Sequence, residues 1–154
     1  MQDLPHHYRV VAGGAVDGDV ALTAERLPSL RTASPAEFGG PGDRWSPETL
    51  LVGAVADCFI LTFRAVARAS KVSWTSLQCE VTGTLDRIDR ATQFTHLDIH
   101  AQLAVPPGTN PDLARRAVEK AEHGCLISNS LKAAVHLKTD VDVAVEPIGV
   151  LIGT

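Results

Sequence analysis

Cysteine is scarce in this chain: three among 154 residues, Cys58, Cys79 and Cys125. Three widely spaced thiols are too few for the disulfide framework of a small secreted domain. No C-x-x-C pair supplies the spacing of a structural zinc site. Positive charge is short as well. Lys and Arg total 14 against 18 Asp and Glu, a net charge of −4. That balance argues against non-specific binding to nucleic acid or to an anionic membrane. The opening Met-Gln-Asp-Leu-Pro-His-His lacks the basic start and apolar run of a signal peptide. The most apolar stretch, Leu50 to Phe63, is shorter than a bilayer span and carries Asp57. Internal repeats and low-complexity tracts are also missing. The expectation is a cytoplasmic chain without nucleic-acid or membrane partners. There, cysteines rest as thiols, and a disulfide is more often transient and catalytic than structural.

What is present suits one ordinary domain, residues 1–154. Hydrophobic residues make up 45% and charged residues 21%, so disorder is excluded as a general state. A chain of this length buries roughly 70% of its unfolded surface and needs no metal to hold a core. Tyr8 to Ala12 reads as a short strand, with Asp19 to Ala24 as its hairpin partner across Gly13-Gly14 and Asp17-Gly18. Residues 28–46, rich in Pro, Gly and Ser, form a long connection that can hide a third strand near Leu30. Ser46-Pro47-Glu48 then opens a helix: a capping side chain, a proline suited to the first position, and an acid at the positive dipole end. This helix runs to about Ser70 and is apolar nearly all round from Leu50 to Phe63, the mark of a helix buried on most faces.

Leu77, Cys79, Val81, Gly83 and Leu85 alternate with polar neighbours, and so do Leu97, Ile99, Ala101, Leu103 and Val105. Period two makes these the arms of a long antiparallel hairpin turning near Asp89-Arg90. Asn110-Pro111 starts a second helix, with Leu113, Ala117, Val118 and Ala121 along one side and Gly124 as its stop. A third helix is expected from Cys125 to about Val135, and a last strand over Val141, Val143 and Val145. The order predicts an α+β domain. A helix so apolar in so small a domain points to an oligomer sharing its central helices.

A free cysteine commonly acts as a small buried hydrophobe, and Cys79, inward on its strand, takes that role. For Cys58 and Cys125 the inert and reactive readings both stand on position alone. Cys125 lies where backbone N–H groups favour a thiolate. Cys58 sits mid-helix among Ala54, Val55, Leu61 and Thr62, none charged, so activation there requires a cation from elsewhere, with Arg26, Arg31 and Arg44 on the preceding segments and Arg44 nearest. Glu48 lies ten positions before Cys58, about 15 Å along the axis; it can orient an arginine or serve a second subunit's cysteine. His96, Asp98 and His100 share a polar strand face and read as solvent-facing rather than as zinc ligands. A Cys125–His123 hydrolase dyad lacks any cue for an orienting group or an oxyanion hole.

The segments SPETLLVGAVADCF (residues 46–59), EFGG (37–40) and AEHGCLISNSLK (121–132), with cysteines 67 positions apart, resemble the OsmC/Ohr family of osmotically inducible and organic hydroperoxide resistance proteins. The resemblance covers nearly the whole chain. It implies an α+β fold with antiparallel sheets around a long buried central helix, in an intertwined homodimer with two interface sites. It also implies thiol-dependent reduction of organic hydroperoxides. By that likeness Cys58 is the peroxide-attacking thiol, Cys125 the resolving one, and Glu48 the acid at the helix start. An external dithiol, possibly lipoyl-type, resets the pair, and no metal or organic cofactor is implied. The family's activating arginine stands in a G-G-R-x-G stretch; here that stretch reads Gly13-Gly14-Ala15-Val16-Asp17-Gly18. Arg44 is the candidate replacement. The rival expectation is a catalytically silent member that holds an apolar small molecule at the dimer interface.

Overall fold

A computed structural model describes residues 1–147. The chain divides into two compact units, Met1–Leu51 and the residues from Val52 onward. In the first, β1 (Val11–Gly13), β2 (Val20–Thr23) and β3 (Leu30–Thr32) form an antiparallel sheet in sequence order. The third strand lies where the sequence placed it. The Pro/Gly/Ser-rich connection has defined local structure. A 3-10 turn over Ala36–Phe38 closes on Gly39, whose φ of 81° is left-handed. A β-carbon on Gly40 would fall 1.6 Å from the Ser34 carbonyl oxygen, so only glycine fits that turn. The Ala33 N–H then donates to the Trp45 carbonyl at 3.0 Å, bringing the chain back beside β3.

Helix α1 (Pro47–Ser70) begins as the sequence predicts. The Ser46 hydroxyl accepts from the Thr49 N–H at 3.1 Å, and the Thr49 hydroxyl accepts from the Ser46 N–H at 2.8 Å. This reciprocal pair satisfies two N–H groups at the helix start. By length and hydropathy α1 could cross a membrane, which the shorter apolar run read from sequence did not anticipate.

In the second unit β4 (Ser76–Ile88) and β5 (Ala91–Val105) are antiparallel. Asp89 and Arg90, with φ of 50° and 67°, form the two-residue turn between them. All five inward residues expected on β5 are buried. The crossover from β5 passes through α2 (Pro111–Gly124) and α3 (Leu126–Asn129) to β6 (Ala134–Val143), which pairs parallel to β5. Parallel neighbours require such a long connection. One core joins Val55, Phe59, Phe63 and Ala67 of α1, the odd positions of β5, and Ala114, Ala117, Val118 and Ala121 of α2. At Gly83 a β-carbon would stand 2.7 Å from the Val52 side chain and 2.8 Å from the Phe94 ring, so glycine lets helix and hairpin approach.

Details differ from expectation: the first strand begins at Val11 rather than at Tyr8. Leu113 is 41% exposed and Ala114 takes its inward place, because the stripe of α2 is built from small residues that admit close packing. The third helix stops at Asn129 rather than near Val135. Residues 134–143 instead form β6, which ends before Val145. Val135, Leu137 and Val141 do alternate inward, but the polar Thr139 interrupts the pattern and hid the first half of the strand.

Candidate active site

Cys58 and Cys125, 67 positions apart in sequence, meet. Cys58 sits on α1 beside the buried Phe59 and is itself half-buried. Cys125 occupies the joint between α2 and α3. Its N–H donates to the Glu122 carbonyl at 3.2 Å, closing α2. Its carbonyl accepts from the Asn129 N–H at 3.0 Å and the Ser128 hydroxyl at 3.1 Å, opening α3. These bonds fix the backbone of a residue whose side chain is fully buried.

The opening N–H groups of a helix have no partner within it. Those of Leu126 and Ile127 reach the Cys58 sulfur, as do the Cys125 thiol and the Thr62 hydroxyl, the last at 3.8 Å. Burial raises the Cys58 pKa. The hydrogen bonds from Ile127, Cys125, Thr62 and Leu126 outweigh burial and leave the thiol below its ordinary value. Cys79 behaves oppositely: burial, aided by repulsion from Cys125, pushes it up to about 12. Both sulfurs of the pair are free thiols.

Two sequence inferences bear on these groups. The backbone N–H groups of Leu126 and Ile127, next to Cys125, lower the pKa of Cys58. Within the second unit, the groups that lower the Cys58 pKa are neutral donors. In the sequence Thr62 stands only as an uncharged neighbour; its position one turn after Cys58 is the available signal, since residues four apart share a helix face. Arg44, the candidate activator, has its guanidinium on Asp19 at 3.2 Å and Asp43 at 3.1 Å, and Arg31 also meets Asp19 at 3.4 Å. The Arg44 hydrogen bond leads in holding the Asp19 carboxyl below its ordinary value. Glu48 lies in the first turn of α1, and its Oε2 is buried with no hydrogen-bond partner among the described residues.

The lesser candidates separate. The Asp98 carboxylate meets His136 at 3.3 Å and His96 at 3.9 Å, while His100 pairs with Asp140 at 2.6 Å. Among the described residues no three His, Cys, Asp or Glu side chains form a metal-binding group. The His123 ring is exposed and faces Glu122 at 3.6 Å.

A mid-helix thiol held by a second thiol at a helix joint, inside an α+β unit of this topology, defines a cysteine-pair protein. The OsmC-like protein family model matches residues 40–140, and the chain belongs to that family. The uncharacterized protein YmaD of Bacillus subtilis (strain 168) is 28% identical over 142 residues, covering 90% of this chain and 95% of that one. Peroxiredoxin OsmC of Escherichia coli (strain K12) is 28% identical over 92 residues, covering 60% of this chain and 64% of its own length. An organic hydroperoxide resistance protein OsmC from Legionella pneumophila superposes with a TM-score of 0.69 at 28% identity, over 92% of this chain and 100% of that one. An OsmC-like protein of unknown function from Vibrio cholerae shares the fold with a TM-score of 0.79 at 14% identity, over 89% and 99% of the two chains.

Proposed function

We propose that the chain is a cysteine-based reductase of organic hydroperoxides, acting as a cytoplasmic homodimer. The observation that carries this reading is the contact between the Cys58 sulfur, held below its ordinary pKa, and the buried Cys125 thiol. The Cys58 thiolate attacks the terminal oxygen of R–O–OH. The O–O bond breaks, Cys58 becomes a sulfenic acid, and the departing alkoxide takes a proton to leave as ROH. Cys125 then attacks the sulfenic sulfur; an S–S bond forms and water departs. An external dithiol, lipoyl-type in keeping with the family resemblance, exchanges with the disulfide and restores both thiols. Arg44 is the candidate cation and Glu48 the carboxylate that orients it. The peroxiredoxin and hydroperoxide-resistance names of the relatives support this direction.

The test is mass spectrometry after one equivalent of tert-butyl hydroperoxide. A Cys58–Cys125 disulfide is expected, absent in Cys58→Ser, while Cys125→Ser accumulates the sulfenic acid trapped by dimedone. Three unchanged thiols with undiminished peroxide would end the proposal in favour of a silent small-molecule binder.

A further inference from the structure

Thr62 holds a place that the cysteine pair alone does not explain. It lies four residues after Cys58 on α1, and its side chain points two ways. The hydroxyl meets the Cys58 sulfur at 3.8 Å. The methyl stands in front of Gly124, where a β-carbon would lie 3.4 Å from it. Gly124 is the last residue of α2 and directly precedes Cys125. One threonine therefore meets the first sulfur and faces the glycine that precedes the second.

A helical threonine ordinarily turns its hydroxyl back to the carbonyl three or four residues earlier. Here the residue four earlier is Cys58, and the hydroxyl meets its sulfur. A thiolate has no proton to offer, so in the ionised state the hydroxyl donates and the sulfur accepts. Asp57, the charged neighbour on α1, is exposed, and besides Thr62 the described groups that lower the Cys58 pKa are the neutral N–H groups of Leu126 and Ile127 and the Cys125 thiol.

We propose that Thr62 is a positioning residue for the thiol pair: its hydroxyl holds the Cys58 thiolate, and its methyl, facing Gly124, limits how closely the Cys125 backbone approaches. This deepens the peroxidase reading and rests on it for its biological purpose, though the sulfur chemistry can be measured without peroxide. Threonine is the side chain that meets both demands. Valine keeps the shape and loses the donor; serine keeps the donor and loses the methyl.

The experiment uses the full-length protein with Thr62→Val and Thr62→Ser. The first readout is the rate of Cys58 alkylation by iodoacetamide against pH, followed on the Cys58 peptide by mass spectrometry. Thr62→Val is expected to move the midpoint upward and to cut the rate at pH 7 by about three- to tenfold, the range for loss of one hydrogen bond. Thr62→Ser is expected to keep the wild-type midpoint. The second readout is disulfide closure after tert-butyl hydroperoxide, where Thr62→Ser is expected to be slower than wild type. A wild-type midpoint in Thr62→Val, or an equal upward shift in both variants, overturns the hydroxyl's role. Wild-type closure in Thr62→Ser overturns the methyl's. Should Thr62→Val fail to fold, an upward midpoint in Thr62→Ser still overturns the hydroxyl's role. If hydroperoxide leaves wild-type Cys58 unchanged while the Thr62→Val midpoint still rises, the peroxidase reading falls and the hydroxyl's role stands.

Discussion

The three cysteines share one chain and differ in environment, and the difference is set by which donors reach each sulfur. Cys58 is desolvated yet hydrogen-bonded, and the bonds win; Cys79 is desolvated and repelled by Cys125, and it rises to about 12. Alkylation should therefore be ordered. Cys58 should react first, with a rate that climbs with pH and levels off below the value of an ordinary thiol. Cys79 should lag, its rate still climbing far above neutrality. Peptide mapping across a pH series checks both; a faster Cys79 would mean the donors do not hold Cys58. The linkage has a definite sign. The folded state sheds the Cys58 proton more readily than the unfolded chain. This contribution to stability is full above the unfolded thiol's pKa and is lost as pH falls through the lowered folded value. The family resemblance singled out Cys58 and Cys125 in the sequence, and the structure brings the two together. The lowered pKa of Cys58 was not legible, because two of its donors are backbone N–H groups that carry no residue signature.

At the scale of elements, local chemistry was the readable part. The Ser46-Pro47 and Asn110-Pro111 starts predicted both long helices, since an oxygen that caps and a proline at the first position work without tertiary help. The Asn110 side chain accepts from the Asp112 and Leu113 N–H groups at 2.9 and 3.3 Å. Asn110→Ala should cost about 1 kcal/mol, read as a lower urea midpoint with the slope unchanged. The boundary between α3 and β6 was not readable, because a strand that pairs parallel to β5 across a helical crossover draws its stability from long-range partners. Gly83 is a sharper test of the packing between α1 and the hairpin. Gly83→Ala places its methyl against Val52 and Phe94, and overpacking of this kind costs about 1–3 kcal/mol. Adding Val52→Ala should recover part of that loss, although it forfeits buried contact of its own. A double mutant that is simply additive would show that the two positions do not press on each other.

For the whole molecule, α1 poses the question of what covers it. The helix has the composition of a buried element, as the sequence reading held. Yet within the chain only 22% of its most apolar 18-residue window is buried. Val55, Phe59, Phe63 and Ala67 serve the core, whereas Leu61 remains 51% exposed. Phe38 and Trp45, in the first unit, are 60% and 52% exposed. Large apolar side chains left open on this scale are a mark of an interaction surface. A second copy of the chain is the occupant proposed above, consistent with the family resemblance. Fully burying one leucine is worth about 2 kcal/mol, and a twofold interface counts each contact twice. Leu61→Glu should therefore shift the assembly toward monomer, because it removes two such contacts and buries two carboxylates if the dimer persists. Sedimentation velocity over a concentration series reads the effect directly. Wild type should sediment as a dimer and Leu61→Glu as a monomer at the same concentration, with its far-UV circular dichroism retained. A wild-type protein that stays monomeric at every concentration would remove the homodimer from the proposal. The Cys58–Cys125 chemistry would survive that result, because both cysteines and the described donors to the Cys58 sulfur belong to one chain.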